Sequence, residues 1–285
     1  MKYILIILAV FIVLIMILFL ESARELNKLK VTEYIIDKNV PSELKGKSIV
    51  FMSDYHEAQE GKLDKRIIDL IRDIDPICIL AGGDMVNSNE DPADKHPSQK
   101  LLNKLASEYK VYYSYGNHEK RLVLDYHEVG ADWKKYLKRL DGSIKILSNK
   151  SIKLFDNTYI YGLDIPIEKY GRINHPDLSV EEINEMIGKK NEDSYVILLA
   201  HAPDFFDGYR SWGADLVLSG HFHGGIIRLP LLGGLISPRL RVFPKYDYGR
   251  YMEGRSEMIV TNGIGQHSIK VRFNNIPEIV VLRFK

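Results

Sequence analysis

The sequence predicts an α/β fold preceded by one apolar N-terminal helix, and three observations support this prediction. Residues 3–20 contain no charged side chain. Short apolar runs then alternate with amphipathic stretches, which is typical of strands connected by helices. From Ile144 onward strand-like runs dominate, so a mixed sheet, or two stacked sheets flanked by helices, is favoured over a purely parallel sheet.

Composition excludes several classes of protein. The chain has 285 residues, of which 45% are apolar and 27% are charged, as in ordinary globular proteins. Its single cysteine, Cys78, excludes an intramolecular disulfide and a thiolate metal cluster. The 39 basic and 38 acidic residues leave a net charge of +1. Nucleic acid is therefore not the expected partner, because no global charge attracts it. The oligomeric state stays open.

The N-terminal segment is long enough to cross a membrane. Tyr3–Leu20 would span about 27 Å as a helix, close to the thickness of a bilayer's hydrocarbon core. A secretory signal peptide is the alternative, but cleavage after Ala23 would require a small residue where Glu21 stands. We therefore expect residues 1–30 to form an uncleaved membrane anchor with a short polar stalk, and residues 31–285 to form the functional domain.

The charges beside this segment bear on its orientation. Lys2 precedes it, and Arg24, Lys28 and Lys30 follow it. The positive-inside rule favours a cytoplasmic C-terminal domain by a small margin. The expectation is a single-pass protein of the cell membrane, with the side of the domain left open.

The periodicity of the apolar residues places the individual elements. Five apolar runs have the length and composition of buried strands: Ile49–Met52, Ile77–Leu80, Val111–Tyr113, Val196–Leu199 and Leu216–Leu218. Three stretches have one-sided helical spacing: Leu63–Ile74, Gln99–Tyr109 and Val180–Lys189. Four later strands are predicted at Ile152–Phe155, Tyr159–Gly162, Glu257–Val260 and Glu278–Arg283.

Polar side chains that can bind metal follow each of the first five runs. The first run leads into Asp54-Tyr55-His56, the second into Gly83-Asp84, the third into Gly116-Asn117-His118, the fourth into His201 and the fifth into Gly220-His221-Phe222-His223. Ligands of α/β sheets bind at the carboxyl ends of strands, and glycine lets the backbone approach them closely. If the strands are neighbours, these five loops converge on one crevice.

The residue types in these loops indicate a metal site. Imidazoles combined with carboxylate and amide oxygens suit Mn²⁺, Fe, Zn²⁺ or Co²⁺ better than Mg²⁺ or Ca²⁺. Seven ligands, namely two Asp, one Asn and four of the five His, are too many for one catalytic ion that keeps an open position. They suit two ions that share a bridging carboxylate, an arrangement that supports in-line attack on a phosphoester.

With these motifs the sequence resembles the calcineurin-like metallophosphoesterase superfamily. That family carries D-x-H, G-D, G-N-H-[DE], a lone H and G-H-x-H in the order found here between residues 53 and 223. The segments GGIIRLPLLGGL (224–235), TNGIG (261–265) and VRFNNIPEIVVL (271–282) extend the resemblance to a narrower group, the membrane-anchored bacterial metallophosphoesterases. The resemblance covers about residues 47–285.

The resemblance implies a fold of two packed mixed sheets flanked by helices and a site with two divalent ions. One ion would be held by Asp54, His56 and His223, the other by Asn117, His201 and His221, with Asp84 shared. A hydroxide that bridges the ions would attack phosphorus, and His118 would stabilise the transition state or protonate the leaving oxygen. The implied activity is a metal-dependent phosphoester hydrolase, with manganese among the candidate metals and phosphodiesters the first expectation for the substrate.

Residues 226–251 combine leucines with arginines, and this composition suggests a lipid-linked phosphoester substrate. Arg239 and Arg241 are candidates for gripping a second anionic group, whereas a structural hairpin with solvated charges is the alternative. Two other functions stay open: a pyrophosphatase acting on a nucleotide-linked acylated sugar of the UDP-diacylglucosamine type, and a non-catalytic metal-binding module. Nucleic-acid hydrolysis is disfavoured by the balanced charge and the predicted anchor.

Overall fold

A computed structural model describes residues 2–56, 62–88, 96–124, 130–171, 176–225, 227–237, 241–265 and 271–285. Its strands, in chain order, are β1 (Lys30–Ile36), β2 (Ser48–Met52), β3 (Cys78–Ala81), β4 (Val111–Tyr113), β5 (Lys145–Ile146), β6 (Lys150–Phe155), β7 (Thr158–Leu163), β8 (Tyr195–Ala200), β9 (Leu216–Ser219), β10 (Arg228–Leu229), β11 (Gly233–Gly234), β12 (Gly249–Glu253), β13 (Ser256–Val260) and β14 (Glu278–Phe284).

The α-helices are α1 (Lys2–Leu26), α2 (Lys62–Ile74), α3 (Pro97–Ala106), α4 (Asn117–Leu124), α5 (Gly130–Arg139), α6 (Val180–Ile187) and α7 (Phe206–Trp212). The first sheet has the order β1-β14-β2-β3-β4-β5 and the second the order β12-β13-β9-β8-β7-β6, while β10 and β11 form a small hairpin. Both large sheets are mixed: β2, β3 and β4 are parallel, as are β7, β8 and β9, whereas β14 runs antiparallel to β2.

The two sheets pack face to face, with helices on their outer faces. Alternating side chains of one strand point to opposite faces of its sheet. In β2, Phe51 lies in the apolar layer between the sheets, whereas Val50 packs with residues of α2 and α3. In β8, Ile197 lies in the layer between the sheets and Leu198 packs beneath α6 and α7. Both faces of these strands are therefore buried, which explains their continuous apolar sequence.

The structure confirms the predicted fold class of two packed mixed sheets flanked by helices. Differences lie in elements without a strong periodic signal. Strand β1 follows the N-terminal helix and pairs in parallel with β14 near the other end of the chain. Helix α3 ends at Ala106, because the following residues 107–109 form a turn. The short helices α4, α5 and α7 were not predicted, and neither was the edge strand β12.

Helix α1 is the one helix, within the described ranges, that is long and apolar enough to cross a membrane. Most of its described apolar side chains are exposed, with Tyr3 at 80% and Leu20 at 64%. At 25 residues it is about 37 Å long, several residues more than a bilayer's hydrocarbon core requires. Its last turn differs from the rest, because Ser22 and Glu25 are buried against the domain.

Candidate metal centre

Five parallel strands end at the same edge of the two packed sheets. In the first sheet, β2 precedes Asp54 and His56, β3 precedes Asp84, and β4 precedes α4, which begins at Asn117. In the second sheet, β8 and β9 precede the remaining ligand candidates, His201, His221 and His223. Backbone hydrogen bonds connect neighbouring loops within each sheet: Asp54 N donates to Gly83 O at 3.0 Å, and Gly220 N donates to His201 O at 3.0 Å. The side chains at the strand ends therefore meet at one place.

The backbone at this edge is held in an unusual conformation. Five of the candidate ligands have positive φ values between 46° and 69°: Asp54, His56, Asp84, His221 and His223. Such a conformation costs a non-glycine residue about 1–3 kcal/mol and persists only where the surroundings impose it. It turns each side chain sharply away from its strand direction and into the shared crevice. Strain concentrated in this way is typical of a functional site.

The first group of potential ligands consists of Asp54, His56 and His223, whose ligand atoms lie within 4.8 Å of one another. The Nε2 atoms of the two histidines face each other at 3.1 Å, and Nε2 of His223 lies 3.3 Å from Oδ1 of Asp54. All three residues are buried. Two imidazole nitrogens and a carboxylate oxygen thus converge on one point, as the ligands of a divalent cation do.

The second group consists of Asp84, His201 and His221, again within 4.8 Å of one another. Nε2 of His201 lies 3.0 Å from Oδ2 of Asp84, which joins the edges of the two sheets. Nδ1 of His201 donates to the carbonyl of Gly82 at 2.8 Å, since a carbonyl can only accept. In the neutral ring, Nε2 is then the unprotonated nitrogen and can bind a metal.

Asp84 and His118 link the two groups. Asp84 also belongs to a third overlapping set, with His56 and His118. The ring of His118 contacts that of His56 edge to face, with 4.9 Å between centroids. Nδ1 of His118 accepts a hydrogen bond from the backbone N–H of Ser88 at 2.8 Å. In the neutral His118 ring the proton therefore lies on Nε2.

Two buried atoms indicate that the cluster is built for cations. Oδ1 of Asn117 and Nε2 of His201 have no hydrogen-bond partner among the residues that the structure describes. Buried polar atoms without a partner are rare, because desolvation costs about 1–3 kcal/mol for each. Both atoms carry lone pairs: Nε2 of His201 lies beside the carboxylates of Asp84 and Asp54, and Asn117 is the first residue of helix α4. The residues therefore fit a site for two divalent metal ions.

The electrostatics of the cluster agree with this interpretation. Burial raises the pKa of Asp54 to about 6, against the opposing effect of His201. Burial also disfavours the His201 imidazolium, but the Asp84 and Asp54 carboxylates outweigh it and raise the pKa of His201 to about 10. The protein thus attracts positive charge at the centre of the cluster. A divalent cation supplies that charge without protonating a ligand.

Glu119 holds the loops of the first sheet in position. Its Oε2 accepts hydrogen bonds from the backbone N–H groups of Asp84 and Gly116, both at 2.8 Å. Its Oε1 accepts from Met85 N at 2.8 Å and from the Tyr113 hydroxyl at 2.7 Å. Glu119 occupies the [DE] position of the G-N-H-[DE] motif, and no role was predicted for it from the sequence. The one signal in the sequence was its place beside Asn117 and His118. A carboxylate that accepts hydrogen bonds from backbone N–H groups does not require particular residue types as partners, so it leaves no recognisable motif.

The structure brings all seven predicted ligands and His118 to this edge, and all eight are buried. The substrate contacts predicted for two arginines stay a prediction. Arg239 lies outside the described residues. Arg241 donates to Asp204 at 2.8 Å, so its guanidinium already has a carboxylate partner. Sequence reasoning also missed Asn275, whose side chain donates to the carbonyl of His223 at 2.6 Å.

Two packed mixed sheets with clustered Asp and His side chains at one edge define a metal-binding α/β protein. The family model of the calcineurin-like phosphoesterases matches residues 47–225, and the chain belongs to this family. It is similar to the uncharacterized metallophosphoesterase YkuE of Bacillus subtilis, with 28% identity over 92% of this chain and 87% of YkuE. It is also similar to the uncharacterized metallophosphoesterase Cj0846 of Campylobacter jejuni, with 30% identity over 94% of this chain and 67% of Cj0846. An uncharacterized metallophosphoesterase of Helicobacter pylori strain 26695 is 31% identical to this chain, over 90% of this chain and 63% of that protein.

Proposed function

We propose that the protein is a membrane-anchored phosphodiesterase that uses two divalent metal ions. The observation that carries the proposal is the cluster of overlapping ligand groups that share Asp84 and His56. When bound, two such ions supply Lewis-acid stabilisation of the phosphoryl oxygens and an activated water molecule. Manganese, iron, zinc and cobalt all suit this donor set.

His118 is the proposed catalytic residue of the chain itself. Ser88 N–H occupies its Nδ1, so Nε2 carries the proton that a leaving oxygen needs. His118 N–H donates to Oδ1 of Asp84 at 2.8 Å, which ties the position of this histidine to the shared carboxylate. His118 therefore donates a proton, or a hydrogen bond, to the substrate beside the metal ligands.

The proposed anchor is helix α1, retained in the mature protein. Ser22 and Glu25 at its end are buried and bonded to the domain, at Arg272 N and Asn275 N. Cleavage after Ala23 by a signal peptidase would remove the first of these contacts. The use of the last helical turn as part of the domain supports an uncleaved anchor in the cell membrane.

A lipid-linked phosphodiester is the proposed substrate class. The hairpin β10–β11, which follows His223 closely in the chain, exposes Leu231 completely and Leu232 to 63%. Exposed leucines at a loop tip are typical of a contact with a lipid surface. Ile227, at the start of this hairpin, pairs with Phe273, directly after the Arg272 that contacts helix α1. The base of this hairpin and the end of the anchor thus contact the same segment.

The test of the reaction uses the full-length protein in detergent, stripped with chelator and reloaded with Mn²⁺. We expect Mn²⁺ to restore hydrolysis of a chromogenic phosphodiester, and Asp84→Ala to abolish it. His118→Ala should lower kcat by about 10²–10⁴-fold, whereas His96→Ala, which removes a histidine outside the cluster, should not. Faster hydrolysis of a UDP-diacylglucosamine-type pyrophosphate would favour the alternative pyrophosphatase. Two bound metals without hydrolysis of any substrate would indicate a binding module.

The test of the substrate class compares a soluble phosphodiester with one presented in lipid vesicles. Leu231→Asp combined with Leu232→Asp should slow hydrolysis of the lipid-presented substrate and leave the soluble one unchanged. Met252→Asp is the matched control, because Met252 is an exposed apolar residue of strand β12. Equal rates on vesicles for the double variant and the control would contradict the lipid proposal.

A further inference from the structure

The last turn of helix α1 is part of the folded domain. Ser22 and Glu25 are each 2% exposed, and they lie one helical turn apart on the same face. Ser22 Oγ accepts a hydrogen bond from Arg272 N, and Glu25 Oε2 accepts one from Asn275 N, both at 2.9 Å. Glu21 and Arg24, by contrast, pair with each other on a more exposed side of the helix. The segment 272–275 is therefore attached directly to the end of the apolar helix.

That segment continues to a metal ligand. The side chain of Asn275, itself 1% exposed, donates from Nδ2 to the carbonyl of His223 at 2.6 Å. Its Oδ1 accepts from Asn262 at 2.9 Å, so both ends of the amide are engaged. His223 has a φ of 48°, a conformation that its surroundings must impose. The hydrogen bond from Asn275 to the His223 carbonyl helps to impose this backbone conformation.

The same segment also supports Asp54. The buried guanidinium of Arg272 donates to Gly265 O at 2.6 Å and to Gly263 O at 3.2 Å. Gly265 N in turn donates to the carbonyl of Asp54 at 2.7 Å. Asp54 and His223 belong to the same ligand group, together with His56. The contacts of the helix end thus lead to one metal position.

The other metal position is held mainly by different parts of the chain, with one shared contact: His221 N donates to Oδ1 of Asp54 at 3.0 Å. His201 is oriented by the carbonyl of Gly82, and the backbone of Asp84 is held by Glu119. Neither contact involves helix α1 or the segment 272–275. A change at the end of the helix should therefore affect the metal position of Asp54 and His223 more than the other.

We propose that Glu25 and Asn275 are positioning residues for His223, so that the end of the membrane helix is a structural component of one metal position. This inference rests on the proposed two-metal function. It implies that removal of residues 1–29 changes the metal centre as well as the location of the protein. It also places the metal centre close to the point where the chain leaves the membrane.

The test measures metal affinity in the full-length protein in detergent, by Co²⁺ titration followed in the visible spectrum. Glu25→Ala and Asn275→Ala should each weaken the binding of one of two ions by about tenfold or more, and the other by less than twofold. Glu25→Gln, which keeps an acceptor oxygen for Asn275 N, should restore most of the affinity. Glu21→Ala is the matched control on the same helix and should bind both ions like the wild type.

A double variant tests the connection between the two residues. If Glu25 acts through Asn275, Glu25→Ala combined with Asn275→Ala should lose no more affinity than the more affected single variant. Equal weakening of both ions, together with a lower unfolding midpoint, would overturn the inference in favour of a general structural role. Unchanged affinity in Glu25→Ala would also overturn it. A wild-type protein that fails to bind two ions would instead contradict the proposed function.

Discussion

Replacing the buried Glu119 with glutamine is the sharpest test of how the metal ligands are positioned. Each carboxylate oxygen of Glu119 accepts hydrogen bonds from two backbone N–H groups: Asp84 and Gly116 on Oε2, Met85 and Val86 on Oε1. The glutamine amide has the same shape but presents an NH₂ group at one of the two positions. Whichever way the amide is turned, the two buried backbone N–H groups at the position of its NH₂ face a donor instead of an acceptor.

The magnitude follows from those two groups. A buried donor left without its acceptor costs about 1–3 kcal/mol, so Glu119→Gln should lower the free energy of unfolding by about 4 kcal/mol. That is a large part of the roughly 5–15 kcal/mol by which such domains are stable. Because Asp84 N is one of the two groups when the amide replaces Oε2, metal affinity should fall as well.

The assay is urea unfolding of the full-length protein in detergent, with and without Mn²⁺. Glu108→Gln is the matched control, because Glu108 pairs with Arg72 at the surface, where such a pair contributes at most about 1 kcal/mol. If both variants unfold at the same urea concentration, the hydrogen bonds to Glu119 do not hold these loops in place.

Three further predictions concern the same structure. Gly263→Ala should weaken metal binding, because at a φ of +70° its Cβ would lie 2.6 Å from Cβ of Asp54; Gly254→Ala, at +62° with no atom within 4 Å, should leave metal binding unchanged. Burial raises the pKa of Cys78 to about 12, so a thiol reagent at pH 8 should label this residue only after denaturation, and rapid labelling of the native protein would contradict its buried position. Because the unfolded chain lacks the assembled site, Mn²⁺ at one hundred times its dissociation constant should stabilise the fold by about 2.7 kcal/mol for each ion, measured as a chelator-reversible rise in the unfolding midpoint.

Much of the site could be predicted from the sequence because each ligand directly follows a short apolar run. Asp54, Asp84 and His201 are recognisable in this way, since strand ends and glycine turns are local features of the sequence. The predicted strands agree with β2, β4 and β9 to within one residue at either end. Longer-range partners were not predictable, as the parallel pairing of β1 with β14 shows.

Local features of the sequence were sufficient to predict the fold class, the apolar N-terminal helix and the residue types of the metal cluster. These features depend on the periodicity of apolar residues and on motifs of a few residues, both of which involve residues close together in the chain. The side chains that support the ligands could be identified from the three-dimensional contacts alone. Glu25 and Asn275 are 250 positions apart, and their contact exists because the tertiary fold brings the end of helix α1 to the segment that contacts His223. Such contacts provide hydrogen-bond partners for buried backbone groups. Any suitable side chain in the right place can serve as the partner, so the contacts cannot be recognised from a residue pattern.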